Sequence, residues 1–246
     1  MDDLKAFRVR KVFTAGRLIA EDGRVLTPLD DAAAGAPSHS IHLKPLAEDA
    51  LSLPVRTGKA RVIGIEPASL VTKSLVREVK TDDAGCFQSA LNPGLTKIAV
   101  IERHKRTGKL GIGILEGYGL TGGAIATTIS HDSHNIVVAG DNDPDMLLAV
   151  RELADMGGGI VSVHGGSIRR LPLPIAGLMT SADPQEVNAV LHDMLVAARA
   201  ELGIPEDVEP FMTLSFMALP VIPELKLTAR GLFNVNTFSF VGVEAD

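Results

Sequence analysis

Residues 122–140 read GGAIATTISHDSHNIVVAG, two runs of small and β-branched side chains separated by a short polar group. Both runs have the composition of buried strands. Paired as 124–130 and 135–139, they form a hairpin. His131-Asp132-Ser133-His134 then becomes a four-residue β-turn with Asp132 and Ser133 at its centre, a position both residue types favour. The ends of a β-turn lie within about 7 Å, so both imidazoles could meet one ligand, with Asp132 beside them to orient a tautomer. A solvated turn or a hydrogen-bonded structural knot would use the same residues. A His-x-x-His turn also lacks the third protein ligand that catalytic zinc usually has.

Outward from this hairpin, strands and helices mix without the strict alternation of a doubly wound sheet, which predicts an α+β fold. Upstream, KARVIGI and TKIAVIER read as strands. Downstream, Asp143-Pro144 opens a helix with Met146, Leu147, Val150, Leu153 and Ala154 on one face, and Gly157-Gly158-Gly159 closes it. IVSVHGGSIRRL follows as a hairpin turning on Gly165-Gly166, which makes His164 a turn residue. A second helix starts at cap Asp183 and Pro184. Its apolar stripe is Val187, Val190, Leu191, Met194, Leu195, Ala198 and Leu202, before Gly203. Pro220 and Pro223 in PFMTLSFMALPVIPELKLT suggest an extended segment at a sheet edge. Residues 7–26 alternate strand and turn signals around Gly16 and Gly23 as a small β-meander, and residues 27–58 carry a proline-containing linker composition. The expected organisation is a meander and linker over 1–55 and a mixed-sheet domain with packed helices over 56–246.

Bulk composition narrows the function classes. With 246 residues and 46% hydrophobic content the chain can bury a substantial core. Net charge is −6, the basic residues form no block, and aromatics make up only 4%. Nucleic-acid backbones and stacked single strands are therefore poor partners. No apolar run reaches the length of a membrane span and the start shows no export signal, so a cytoplasmic location is expected. Cys86 is the sole cysteine and reads as a small semi-buried hydrophobe. GYGLTGG has neither dinucleotide nor Walker spacing. Glu102, Arg103 and His104 follow a strand end, a common place for site residues, although a charge run there also suits a solvated loop.

Several long stretches occur together: IERHKRTGKLGIGILEGYGLTGGAIATTISHDSHNIVVAGDNDPDMLLAV, LPLPIAGLMT and EPFMTLSFMALPVIPELKLTARGLFNV. They resemble the C-terminal part of the bacterial adenine deaminases of the amidohydrolase superfamily. FRVRKVFTAGRLIAEDGRVL resembles the end of that family's β-sandwich domain. The resemblance implies conversion of adenine to hypoxanthine and ammonia by metal-activated water. It places manganese or another divalent metal in an N-terminal barrel that begins with His-x-His, a motif these 246 residues do not contain. No cofactor is then expected on this chain. It would supply pocket walls and an assembly surface, with a barrel portion, a second copy of itself and an adenine-type purine as partners. His131, Asp132, Ser133, His134 and Asn135 become the leading pocket candidates, with Arg103 and His104 second. Two rivals remain: a stand-alone purine-binding or structural module, and a small hydrolase using His131 and His134 with a bound metal.

Overall fold

The computed structural model describes residues 5–27 and 37–245. It divides into two compact units, Met1–Gly35 and Ala36–Asp246; residues 28–36 of the linker stretch lie outside the described residues.

In the first unit, β1 (Lys11–Thr14), β2 (Arg17–Glu21) and β3 (Arg24–Val25) form an antiparallel meander. Gly16 and Gly23 turn it at φ +77 and +79, conformations open to glycine without a Cβ penalty. Phe7 to Arg10, which alternate like a strand, precede β1 without being part of it; the Asp22 N–H donates to the Arg10 carbonyl at 2.7 Å and the Arg10 Nε meets the Asp22 carboxylate at 2.7 Å. Val12, Phe13 and Val25 stay exposed on this small sheet.

The second unit is built on eight strands: β4 (Lys59–Ile65), β5 (Thr72–Glu78), β6 (Leu95–Ile101), β7 (Leu110–Glu116), β8 (Gly123–Thr127), β9 (Ile136–Gly140), β10 (Gly159–His164) and β11 (Ser167–Pro172). Their order is β11-β10-β8-β9-β6-β7-β4-β5. The β4–β7 pair is parallel and the others are antiparallel, so the sheet is mixed. The β8–β9 hairpin pairs Ala124 with Gly140 and Thr127 with Val137.

Successive side chains alternate faces, and here both faces are covered. Ile98, Val100, Ile125, Val137 and Ile160 enter one core; Ala99, Ile101, Ala126, Val138 and Val161 enter the other. This is why β8, β9 and the Ile98–Ile101 part of β6 read as nearly continuous apolar runs. The second face is covered by α1 (Asp143–Asp155), whose cap is Asn142, accepting from the Asp145 N–H. Asp143, the cap expected from sequence, is already helical and the cap falls one residue earlier, because Asn142 supplies an equally good acceptor. The helix ends before Gly157, and Gly159 already belongs to β10.

The first face carries α2 (Pro184–Ala200), α3 (Pro210–Met217) and a sheet of β12 (Leu225–Thr228), β13 (Gly231–Asn234) and β14 (Ser239–Phe240). Asp183 caps α2, accepting from the Gln185 N–H. Its seated face is Met194, Ala197 and Ala198, while Val190 is exposed. The presence of α3 corrects the extended reading of PFMTLSFM. Pro210 sits in its first turn, Glu209 accepts from the Met212 N–H, and Pro220 and Pro223 lie past its end. Phe211, Leu214 and Met217 are buried and the helix is apolar on most sides, so no amphipathic period marks it.

No helix among the described residues is long and apolar enough to cross a membrane.

The β12–β13 hairpin lies so close to β7 that a Cβ on Gly111 would stand 2.1 Å from the Thr228 carbonyl oxygen, whereas one on Gly113 would meet only side chains, at 3.5 Å or more. Gly111→Ala should therefore cost about 1–3 kcal/mol by forcing the hairpin outward. Gly113→Ala should stay within about 1 kcal/mol, and urea denaturation of both variants measures the contrast.

Candidate functional site

The connection between β8 and β9 is longer than a four-residue turn. The His134 N–H donates to the Ser130 carbonyl at 2.6 Å, so the reversal is an α-turn over Ser130–His134. His134 closes it at φ 46, the left-handed region. The α3 helix anchors its start: the His131 N–H donates to the Ser215 carbonyl at 2.9 Å, and the His131 ring lies 4.5 Å from that of Phe216.

Arg103, just past β6, fixes the far side. It is 1% exposed. Its Nε donates to the His134 carbonyl, Nη1 to the Ser40 carbonyl and hydroxyl at 3.2 and 3.0 Å, and Nη2 to the Ala176 carbonyl at 2.9 Å. One guanidinium thus ties the connection to two otherwise distant segments. Burial lowers its pKa from the ordinary arginine value, and main-chain oxygens, rather than a carboxylate, compensate the charge. Gly177 passes so close that a Cβ there would lie 2.9 Å from Arg103 Nη1.

His104 is exposed and its Nε2–H donates to the Ser133 carbonyl at 2.8 Å. Glu102 organises the same loop. Partial burial would raise its carboxyl, but hydrogen bonds from the Thr107 hydroxyl and from the N–H groups of Thr107, His104 and Lys105 outweigh this and hold the pKa at about 2.

Asp132 and Ser133 are exposed, and Asn135 is 8% exposed with its Oδ1 accepting from the Arg103 N–H at 3.4 Å. These three, with Glu102, form one wall of a cavity of about 760 Å³. His131, His134, Arg103 and His104 are not among its lining residues. The opposite wall comes from the segment after α3 and from the β13–β14 hairpin, with Arg230, Phe233, Phe238 and Phe240. Phe238 and Phe240 stand nearly perpendicular to the Phe233 ring, with centroids 5.3 and 5.2 Å away. The Arg230 guanidinium covers Phe240 at 4.6 Å. Phe238 is 76% exposed and held at φ 50, a conformation costing a non-glycine residue about 1–2 kcal/mol.

Sequence reasoning missed this aromatic wall. Its available signal was clustering: three of the chain's eight phenylalanines fall within 233–240.

The His131 and His134 rings lie 6.1 Å apart, and among the described residues no three His, Cys, Asp or Glu side chains converge as a metal set. The turn does not fit a divalent metal, which needs further strong donors. His134 is held toward its neutral form: burial comes first, then the fields of His131 and Arg103, with Asp132 opposing and His104 adding a smaller push. Two buried atoms here, Ser130 Oγ and His134 Nδ1, have no hydrogen-bond partner among the described residues.

The family model described as adenine deaminase C-terminal domain matches residues 69–239. A protein named adenine deaminase from Nitratidesulfovibrio vulgaris is 57% identical over 244 residues, covering 99% of this chain and 42% of that protein. Adenine deaminase 2 of Carboxydothermus hydrogenoformans is 45% identical and adenine deaminase of Clostridium acetobutylicum 40% identical, each over 98% of this chain and 42% of the relative. The chain thus spans about two fifths of the length of the curated relatives it matches.

Arg103→Met should destabilise the protein by about 3 kcal/mol, since it strands carbonyls of Ser40, His134 and Ala176 that burial has removed from water. Chemical denaturation reads this directly. For His134, a depressed pKa means the unfolded chain binds the proton more tightly. Its contribution is therefore present above the ordinary imidazole value of about 6.5 and lost as pH falls through the interval below it. His134→Asn, which tolerates the positive φ, should flatten the loss of melting temperature between about pH 7 and about pH 5, from roughly half a unit above that value to roughly one and a half below it, relative to wild type.

Proposed function

Because the chain belongs to the adenine deaminase C-terminal domain family, we propose that it is the C-terminal part of an adenine deaminase. It acts with the remainder of that enzyme in converting adenine and water to hypoxanthine and ammonia. The observation that carries the reading is the wall of Asp132, Ser133 and Asn135 on a cavity faced by aromatic side chains. In the reaction the water oxygen bonds to the purine C6 and the exocyclic amine leaves as ammonia. A carboxyl group, a hydroxyl and an amide can together accept from the amine and donate to ring nitrogens. They can orient the base. Activating the water demands a stronger electrophile than these residues supply, so that step is assigned, with its divalent metal, to the remainder.

Two further observations support assembly with a partner. The unpaired Ser130 Oγ and His134 Nδ1 suit a turn that completes its hydrogen bonding when another surface is added. Exposed Val12, Phe13 and Val25 leave apolar area on the small sheet that the remainder, or a second copy, would cover. The reading places the protein in the cytoplasm, where a lone thiol such as Cys86 persists reduced.

Co-expression with the part of the Nitratidesulfovibrio vulgaris enzyme that this chain does not match, in medium containing Mn²⁺, tests the reading. Hypoxanthine release is expected from the pair at an ordinary enzyme rate, about 1–10³ per second, and from neither piece alone. Asp132→Ala should lower the rate at least about tenfold, about 1.4 kcal/mol of transition-state stabilisation, without loss of assembly. Turnover by the isolated chain, or an unaffected Asp132→Ala pair, overturns it; purine binding by a chain that never restores turnover points to a stand-alone binding module.

A further inference from the structure

We propose that Phe238 is the stacking face for a purine base in the cavity beside the β8–β9 connection, so that the aromatic wall grips the ring plane while the polar wall reads its edge. This rests on the adenine deaminase reading and adds the residue that holds the ring.

The argument begins with a backbone cost at an exposed position. Phe238 occupies the left-handed region at φ 50 yet leaves 76% of its surface outside the core. A phenylalanine in that conformation is rare, and glycine or asparagine would close the same hairpin without strain. The loop is built to keep it there. The Phe238 N–H donates to the Val235 carbonyl at 3.3 Å, the Thr237 N–H to Asn234 Oδ1 at 3.1 Å, and the Thr237 and Ser239 hydroxyls bond at 2.8 Å.

The neighbouring rings leave most of Phe238 uncovered. Phe233 is 8% exposed and forms the floor, meeting Phe238 edge-on at 84°. Arg230 already covers Phe240. A T-shaped contact on one side leaves at least one face of the Phe238 ring open, and aromatic rings take an offset-stacked partner there.

Size and charge define the ligand. About 760 Å³ lies within the range of small-molecule sites. Lys109 and Arg230 are matched by Glu102 and Asp132 on the same lining, so no net field selects a charged molecule. A neutral heteroaromatic base fits better than its phosphorylated derivatives. The edge readers are available on the facing wall, where Asn135 is nearly buried and Asp132 is open.

The test is a calorimetric titration of adenine into the whole chain and its variants, with circular dichroism as the folding control. Adenine should bind wild type, and Phe238→Leu, which keeps apolar bulk and loses the π face, should weaken binding about tenfold or more. Phe238→Tyr should retain it, and adenosine monophosphate should bind no better than adenine. Equal affinity of wild type and Phe238→Leu, with binding lost in Asp132→Ala, overturns the stacking role and leaves the adenine deaminase reading standing. No binding of adenine to the folded wild-type chain at millimolar concentration also overturns it, while the co-expression assay reports separately on the reaction.

Discussion

Burial of the central strands of the eight-stranded sheet on both faces is the constraint from which the rest of the molecule follows. The apolar side chains of β8, of β9 and of β6 from Ile98 onward enter one core or the other, so these strands have almost no solvated face on which to carry chemistry. Polar groups are displaced to the strand ends, where the chain must also turn and satisfy its own main-chain groups. Arg103 sits at one such end. Its guanidinium gathers carbonyls from Ser40, His134 and Ala176 and makes the β8–β9 connection rigid. A charge so deeply buried is tolerated because nearly all its donors are used.

That rigid connection defines one wall of the cavity, and the covering layer defines the other. The α3 helix fixes His131 through Ser215 and Phe216, and the β12–β13–β14 sheet sets Phe233, Phe238 and Phe240 across from Asp132. The two layers carry complementary capacities: hydrogen-bonding groups on the sheet side, flat apolar rings on the other. Among the described residues neither brings three His, Cys, Asp or Glu side chains together.

Residues that look alike in sequence take different parts here. Within His131-Asp132-Ser133-His134-Asn135, the two imidazoles lie away from the cavity and the carboxylate, hydroxyl and amide line it. The α-turn produces this division: closing at His134 in the left-handed region leaves Asp132 and Ser133 exposed at its tip and puts Asn135 back beside Arg103.

The sequence by itself determined what depends on local composition. Runs such as IVVAG, the Gly16, Gly23 and Gly165-Gly166 turns, and the Asp183-Pro184 start of α2 each carry their cause within a few residues and held to within a residue or two, whereas the strand expected over 124–130 stops at Thr127. The mixed α+β class followed from their order, and the resemblance of the long motifs gave the family. Only the tertiary structure decided what depends on residues far apart in the chain. The α3 helix was hidden because a helix buried on most sides has no polar face to reveal its period. Arg103 read as a site residue because it follows a strand end, with a solvated loop as the alternative, whereas it is buried and its partners lie 31 to 73 positions away. The cavity was invisible for the same reason: Asp132 and Phe238 share it through the stacking of a covering layer on a sheet, a relation set by packing and not by spacing.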